Sequence, residues 1–433
     1  MPAPPNRDQP ERDASRDAGP IAPLPFWTAA IVVTIGLIVS RRPDGISNAQ
    51  FWAEDGRIWY AQAYNEGALH ALLLPAAGYL QSFSRLVAAL SLAVDLRHAP
   101  LLFNVAAVLV QALPPLYLLS SRYAALMPDL RVRMLAALLV IGAPNGFEIQ
   151  SNVTNAQTHL ALLSLLIVLA APPRGLAGAV FDALFLLLGG LSGPTCVLLL
   201  PIAALAWRHE PSRRRALVVL LVLLPAAVQL LTYLSTGGAG RVTTPLGASV
   251  AGFLRIVGAQ IFIAGTVGAK VYTFLVRYGG PLTSSGTLLV GLVGLLYVAG
   301  VLWRAQGVAL RLFCLFGALA LAAGLASPAI VEVPRWQALL TPNAGVRYYA
   351  PPILALLALL MWSACADPSP RFRRLSRLAL AAVLLVGMPL DWRVAPRVDF
   401  DFAHHAELFD AAPSGTEVRI PIPPGWRMKL YKH

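Results

Sequence analysis

The chain has 433 residues, 57% of them hydrophobic and only 13% charged, with a formal net charge of +13. Soluble globular chains carry about 25% charged residues, so this composition excludes an ordinary soluble domain and points to a polytopic membrane protein. The positive charge does not point to nucleic acid, because the arginines gather in short stretches between apolar runs (Arg131 and Arg133; Arg213 to Arg215; Arg371, Arg373, Arg374 and Arg377), as cytoplasmic loops do.

Residues 1–20 are Pro-rich and of mixed charge, and we expect a disordered cytoplasmic tail. The apolar stretch Ile21 to Ser40 follows too long a polar lead for a cleaved signal and ends on Arg41-Arg42, so it is read as an uncleaved first span. Further apolar runs fall at 79–96, 99–120, 134–147, 157–171, 175–191, 194–207, 216–235, 251–276, 284–303, 309–331, 350–366 and 377–390. Two of them fit a crossing poorly. The run from Tyr79 to Leu96 holds Gln81, Ser82, Ser84 and Arg85 in its first turns and reads as an interfacial helix. The run 251–276 carries Arg255, Gln260 and Lys270 and reads as re-entrant or interfacial.

With both set aside, the expected fold is an all-α polytopic membrane protein of about eleven transmembrane helices, within a range of about ten to thirteen. The membrane domain covers 21–390, the first external loop with its interfacial helices covers 41–98, and 391–433 forms a short external C-terminal segment. This parity puts every Arg-rich loop on the side of the N-terminus and the polar or aromatic loops on the other. Arg41 and Arg42 are the one local exception, offset by Asp44, Glu54 and Asp55. Cys196, Cys314 and Cys365 lie in apolar runs without metal-ligand spacing and read as small buried residues.

Three external segments carry chemistry. The first runs from Phe51 to Gly67, where Glu54 and Asp55 open a helix flanked by Trp52, Trp59 and Tyr60, and Gly67 is its stop. Adjacent carboxylates point about 100° apart on a helix, so one is free to act as a general base while the other holds an arginine, a backbone group or a cation. Both are candidates, with Asp55 preferred as the base. The loop continues through Pro75, Gly78 and Tyr79 to Arg85, which either snorkels to headgroups or pairs with Asp55 or with a substrate phosphate.

The second segment, Asn145 to His159, is dense in amides and hydroxyls. Asn152, Asn155 and His159 are candidate sugar contacts, and Glu148 is an alternative acid. The third, Thr341 to Pro352, places Arg347, Tyr348 and Tyr349 just before a span, where arginine supplies bidentate donors for a phosphate.

Together, Glu54-Asp55 after the first span, Pro75…Gly78-Tyr79…Arg85, and Arg347-Tyr348-Tyr349-Ala350-Pro351 before a late span resemble the GT-C superfamily of integral-membrane glycosyltransferases. The resemblance implies a polyprenyl-phosphate-sugar donor, Asp55 or Glu54 as catalytic base, and Arg347 as the phosphate ligand, with Tyr348, Arg85 and Tyr79 assisting. It also implies a site on the periplasmic face of a bacterial inner membrane, with the N-terminus cytoplasmic. The external tail is shorter than the soluble domain of larger members, which favours a lipid or glycan acceptor over a protein. Inverting transfer needs no cofactor; a divalent cation at Glu54 and Asp55 is compatible with it, although no third ligand is evident. Two other readings stand beside it: a non-catalytic protein of polysaccharide assembly, and a transporter or flippase of lipid-linked glycans. No internal repeat is visible, which weakens the transporter reading.

Overall fold

Long runs of leucine, valine and alanine have no water to satisfy their backbone groups inside a bilayer, and the helix is the local solution to that constraint. The computed structural model describes residues 23–237 and 244–433 and is mostly helical. The tail expected to be disordered, 1–20, lies outside the described residues. Among the described residues seven helices are long and apolar enough to cross a membrane: Leu24–Arg41, Ala99–Leu119, Arg213–Ser235, Val250–Val267, Thr283–Arg304, Val308–Ala326 and Pro370–Trp392. Four shorter apolar helices accompany them: Ala156–Leu169, Leu176–Leu191, Thr195–His209 and Ala350–Ala366.

This set differs from the expected one in two places. The span anticipated at 134–147 is the helix Leu130–Gly142, which has 13 residues and therefore extends only about 20 Å at 1.5 Å per residue. The stretch 251–276, expected not to cross, contains Val250–Val267, which qualifies by length and composition. After a break at Gly268 a second helix, Ala269–Tyr278, follows. Three points along these two helices nevertheless touch one connecting segment. Gly252 lies against the ring of Trp336, Gln260 Nε2 donates to the carbonyls of Leu339 (2.8 Å) and Thr341 (3.2 Å), and the Tyr272 hydroxyl donates to the carbonyl of Leu340. The helix crosses its neighbour Gly280–Arg304 very closely at Gly258, where a Cβ would stand 1.9 Å from the carbonyl oxygen of Thr287. Only glycine permits that approach.

The helices are sorted by the chemistry of their ends. At one end of the bundle, Asp182 receives Arg122 Nη2 at 2.8 Å and Arg214 Nη2 at 3.5 Å, and Asp367 receives Arg304 at 3.0 Å from both Nε and Nη2. The Arg-rich connections belong to this end. At the other end lie Arg41, Asn145–Asn155, Leu339–Tyr349 and Asp391, tied to one another by the hydrogen bonds described below. Two separate cores reflect the same division. One fills the bundle, centred on Leu163, Ile167, Ile202, Ile353 and Leu357.

The second core joins the loop that follows the first apolar helix to the C-terminal segment. Phe51, Tyr60, Val87 and Phe103 pack with Phe402, Phe409, Ile420, Ile422 and Met428. The C-terminal segment is a helix, Phe402–Ala411, followed by an antiparallel hairpin in which Glu417–Ile422 pairs with Trp426–Tyr431, Ile420 opposite Met428. Alternation along each strand supplies the buried face. This hairpin is a small β element attached to an otherwise helical fold. Gly67, at φ +92°, ends the helix Ala61–Glu66 as the sequence suggests.

Candidate functional site

The first loop leaves the bundle through two buried arginines. Arg41 is 1% exposed, and its guanidinium donates to backbone carbonyls at Ile141, Ala143 (3.4 Å), Asp391 (3.3 Å) and Trp392 (3.4 Å). It fastens the ends of three helices, because helix C-termini leave carbonyls without partners. Arg42 stacks over Trp52 at 5.9 Å and donates to the carbonyl of Phe147. The pair that looked misplaced in the sequence is therefore interior, serving backbone groups.

Glu54 and Asp55 have divergent surroundings, as adjacent helical positions require. Asp55 is fully buried. Its Oδ1 accepts from the Thr154 backbone N–H and hydroxyl, both at 2.7 Å, and its Oδ2 accepts from the Val153 N–H at 3.2 Å. Burial raises its pKa from 3.8 to about 7, against the pull of Thr154, Arg397 and Val153. A carboxylate whose oxygens are committed to a loop and closed off from solvent does not reach an acceptor. Asp55 holds the 152–155 turn in place, and the same Thr154 hydroxyl accepts the indole N–H of Trp59 at 3.1 Å.

The polar second segment is likewise turned inward. Asn152 Nδ2 donates to the carbonyls of Glu148 (2.7 Å) and Gln150 (3.2 Å), while its Oδ1 accepts from Asn155 N and Nδ2. Asn155 Nδ2 also donates to the Glu148 carbonyl at 3.1 Å, and His159 Nε2 donates to the Ile149 carbonyl at 3.0 Å. All three side chains are buried. The amides expected to contact a sugar instead satisfy the turn's own carbonyls, as buried polar groups must. Their effect is to present Glu148.

Glu148 meets Arg347. Its Oε2 accepts the Arg347 backbone N–H at 3.0 Å, and its Oε1 accepts from Nη1. Arg347 Nη2 donates to the Tyr348 hydroxyl at 3.2 Å, its guanidinium lies 4.9 Å from the centre of the Tyr348 ring, and that hydroxyl also accepts the Ala329 N–H at 2.7 Å. Burial works to lower the Arg347 pKa, but Glu148 and Tyr348 outweigh it and hold the guanidinium charged. The side chain keeps about a third of its surface open (33%), the condition for an incoming anion.

Glu54 lies within electrostatic reach of this pair. It is half-buried, and its carboxylate has no hydrogen-bonded side-chain partner among the described residues. Its pKa is raised chiefly by burial and further by Glu148, while its own backbone N–H, Arg347 and Arg57 pull it down. A carboxylate with a raised pKa, no hydrogen-bonded side-chain partner and an arginine within electrostatic reach has the character of a general base.

The other sequence candidates have surroundings of their own. Arg85 is 1% exposed and stacks on Trp59 at 4.8 Å, with Nε, Nη1 and Nη2 lacking an acceptor among the described residues; burial lowers its pKa to about 10, so it stays charged at neutral pH. It does not snorkel. Tyr79 closes a tight bridge with Ala76, each backbone N–H donating to the other's carbonyl. No cluster of three or more His, Cys, Asp or Glu side chains occurs among the described residues.

Arg397 is the residue that the sequence reading missed. It donates to the carbonyls of Gln50 and Ser151, both at 2.8 Å, and its backbone N–H donates to Asp44 Oδ2 at 3.0 Å. It thereby sews the C-terminal segment between the first loop and the 145–159 turn. A single arginine in a tail carries no local signal of such a role.

No family model and no curated protein matches this chain. The functional reading rests on the site's own chemistry.

Proposed function

We propose that this protein is a membrane glycosyltransferase that moves a sugar from a polyprenyl-phosphate donor to a lipid or glycan acceptor, with inversion, at the periplasmic face of a bacterial inner membrane. The observation that carries the reading is the Glu54 carboxylate, without a hydrogen-bonded side-chain partner among the described residues and within electrostatic reach of the charged, partly open Arg347. The donor phosphate docks at Arg347, adding to or displacing Glu148. Glu54 takes the proton of an acceptor hydroxyl, whose oxygen bonds to the anomeric carbon as the bond from that carbon to the phosphate oxygen breaks. The electron pair leaves on the phosphate, where the Arg347 guanidinium stabilises it. Positioning of donor and acceptor supplies much of the remaining acceleration.

The reading is tested with purified protein in lipid nanodiscs and a set of polyprenyl-phosphate hexoses and pentoses. Arg347→Ala is expected to lower transfer at least about 100-fold and to weaken donor binding. Unchanged transfer in that variant sinks the phosphate-site assignment. Movement of intact donor across a liposome bilayer, without cleavage of the sugar–phosphate bond, would instead establish a transporter.

The sidedness is part of the same proposal. The three contacts of 252–272 with 336–341 support a segment that starts and ends on one face, and the partition of Arg-rich ends from site-bearing ends supports a cytoplasmic N-terminus. In a background with Cys196, Cys314 and Cys365 replaced by serine, Ser249→Cys and Lys270→Cys are expected to react with an impermeant thiol reagent from outside, and Arg371→Cys only from inside. Labelling of positions 249 and 270 from opposite faces would show that Val250–Val267 crosses.

A further inference from the structure

A cavity of about 330 Å³ lies between the first external loop and the C-terminal segment, lined by Tyr60, Tyr64, Leu92, Phe409, Asp410 and Lys432 among others. It is distinct from the Glu54–Arg347 pair, although Tyr60 ends the helical turn Asp55–Tyr60 that follows Glu54. Its volume falls within the range of small-molecule sites, about 300–1,000 Å³.

The lining is of two kinds. Leu92, Tyr64 and Phe409 give an apolar wall, in which Tyr64 stacks with Tyr60 (6.2 Å) and with His433 (5.1 Å) and meets Phe409 edge-on. Three polar groups are not committed to the fold. The Tyr60 hydroxyl has no hydrogen-bond partner among the described residues, and burial together with Tyr64 and Asp410 raises its pKa, so it remains a donor. Asp410 is paired only loosely, its Oδ1 standing 3.8 Å from Lys432 Nζ, and its side chain is 58% exposed. Lys432 Nζ sits 4.9 Å from the centre of the Phe409 ring, which fixes it over the apolar wall.

We propose that this cavity is a saccharide subsite, which binds the sugar residues of a glycan acceptor adjacent to the one that reacts. The opposite charges of Asp410 and Lys432 cancel, so the cavity favours neither an anion such as a lipid headgroup phosphate nor a cation. It favours an uncharged ligand rich in both donors and acceptors. A carboxylate accepts from sugar hydroxyls, the ammonium and the phenol donate to hydroxyl or ring oxygens, and the aromatic and leucine wall meets the C–H face of a sugar ring. The buried Tyr60 hydroxyl also discriminates, because a ligand lacking hydroxyls leaves it unpaired. The C-terminal segment therefore takes on a task beyond covering the first loop. The identity of the ligand as an acceptor rests on the proposed transfer reaction, whereas its identity as a glycan rests on the cavity alone.

The test uses the full-length protein in nanodiscs and calorimetric binding of chitohexaose, maltohexaose and laminarihexaose, with glycerol phosphate as the anionic control. At least one hexasaccharide is expected to bind, and glycerol phosphate is not. Tyr60→Phe, which removes only the hydroxyl, and Asp410→Asn are each expected to weaken saccharide binding about tenfold, while hydrolysis of the polyprenyl-phosphate sugar in the absence of acceptor stays unchanged. Binding of no hexasaccharide, or equal affinity in both variants, overturns the subsite. Saccharide binding that persists in a protein unable to cleave any donor would overturn the transferase reading and leave the subsite standing.

Discussion

Glu54→Gln is expected to lower sugar transfer by about 10²–10⁴-fold, the contribution of a positioned general base, with the thermal midpoint in detergent unchanged or slightly higher. The two halves of this result have one cause. Glu54 has no hydrogen-bonded side-chain partner to lose, and its burial already disfavours the charged form, so neutralising it costs no native contact. In the wild type, transfer is expected to rise with pH through the Glu54 pKa, because a base acts only when deprotonated. That rise is expected above the ordinary carboxylate value of 4.5, since burial raises the group. Glu148→Gln removes a neighbouring negative charge and frees Arg347, so both changes move the rise to lower pH. Wild-type transfer rates in Glu54→Gln, measured with the same donor and acceptor, would falsify the assignment.

Asp55→Ala is expected to do the reverse and act first on the fold. It strips an acceptor from Val153 N–H, Thr154 N–H and the Thr154 hydroxyl, leaving buried donors unmet at a cost of about 2–4 kcal/mol. Loss of the 152–155 turn also loosens Glu148 and Trp59, so activity falls along with the thermal midpoint. Asp55→Asn is expected to be intermediate, because its amide keeps one acceptor but turns an NH₂ toward a donor. The pH dependence has a definite sign. The folded carboxyl keeps its proton to about pH 7, whereas the unfolded group releases it near 3.8. The folded state therefore holds the extra proton between those values, and wild-type stability relative to Asp55→Ala falls as pH rises through that window. Denaturation of both proteins across that window measures it, and Asp55→Ala with a wild-type midpoint but no activity would restore Asp55 as the base.

These paired variants show where sequence reading reached and where it stopped. The spacing of Glu54 and Asp55 required different tasks for the two carboxylates, since helical neighbours diverge by about 100°. Which one faced the protein depended on Thr154, almost a hundred residues away. Asn152, Asn155 and His159 advertised hydrogen bonding in the sequence, but a buried turn with unpaired carbonyls consumed it locally. The helix Val250–Val267 met the length and composition of a span, while its contacts with 336–341 arise from a segment some eighty residues later. Arg85 read as a headgroup or phosphate ligand, yet it lies under Trp59, a packing relation without periodic signature.

What the sequence determined alone is what depends on local chemistry and solvent: a helical membrane architecture, the segregation of arginine-rich connections, the helix stop at Gly67, and the presence of an acidic step beside aromatic side chains. Apolar length and charge placement set these directly, because the bilayer acts on each segment independently. The tertiary structure decided which polar groups remain free. Burial of Asp55, the hold of Glu148 on Arg347, the Arg397 stitch and the cavity beneath the C-terminal segment all join residues far apart in the chain. A side chain's availability for chemistry depends on whether some distant backbone group claims it first.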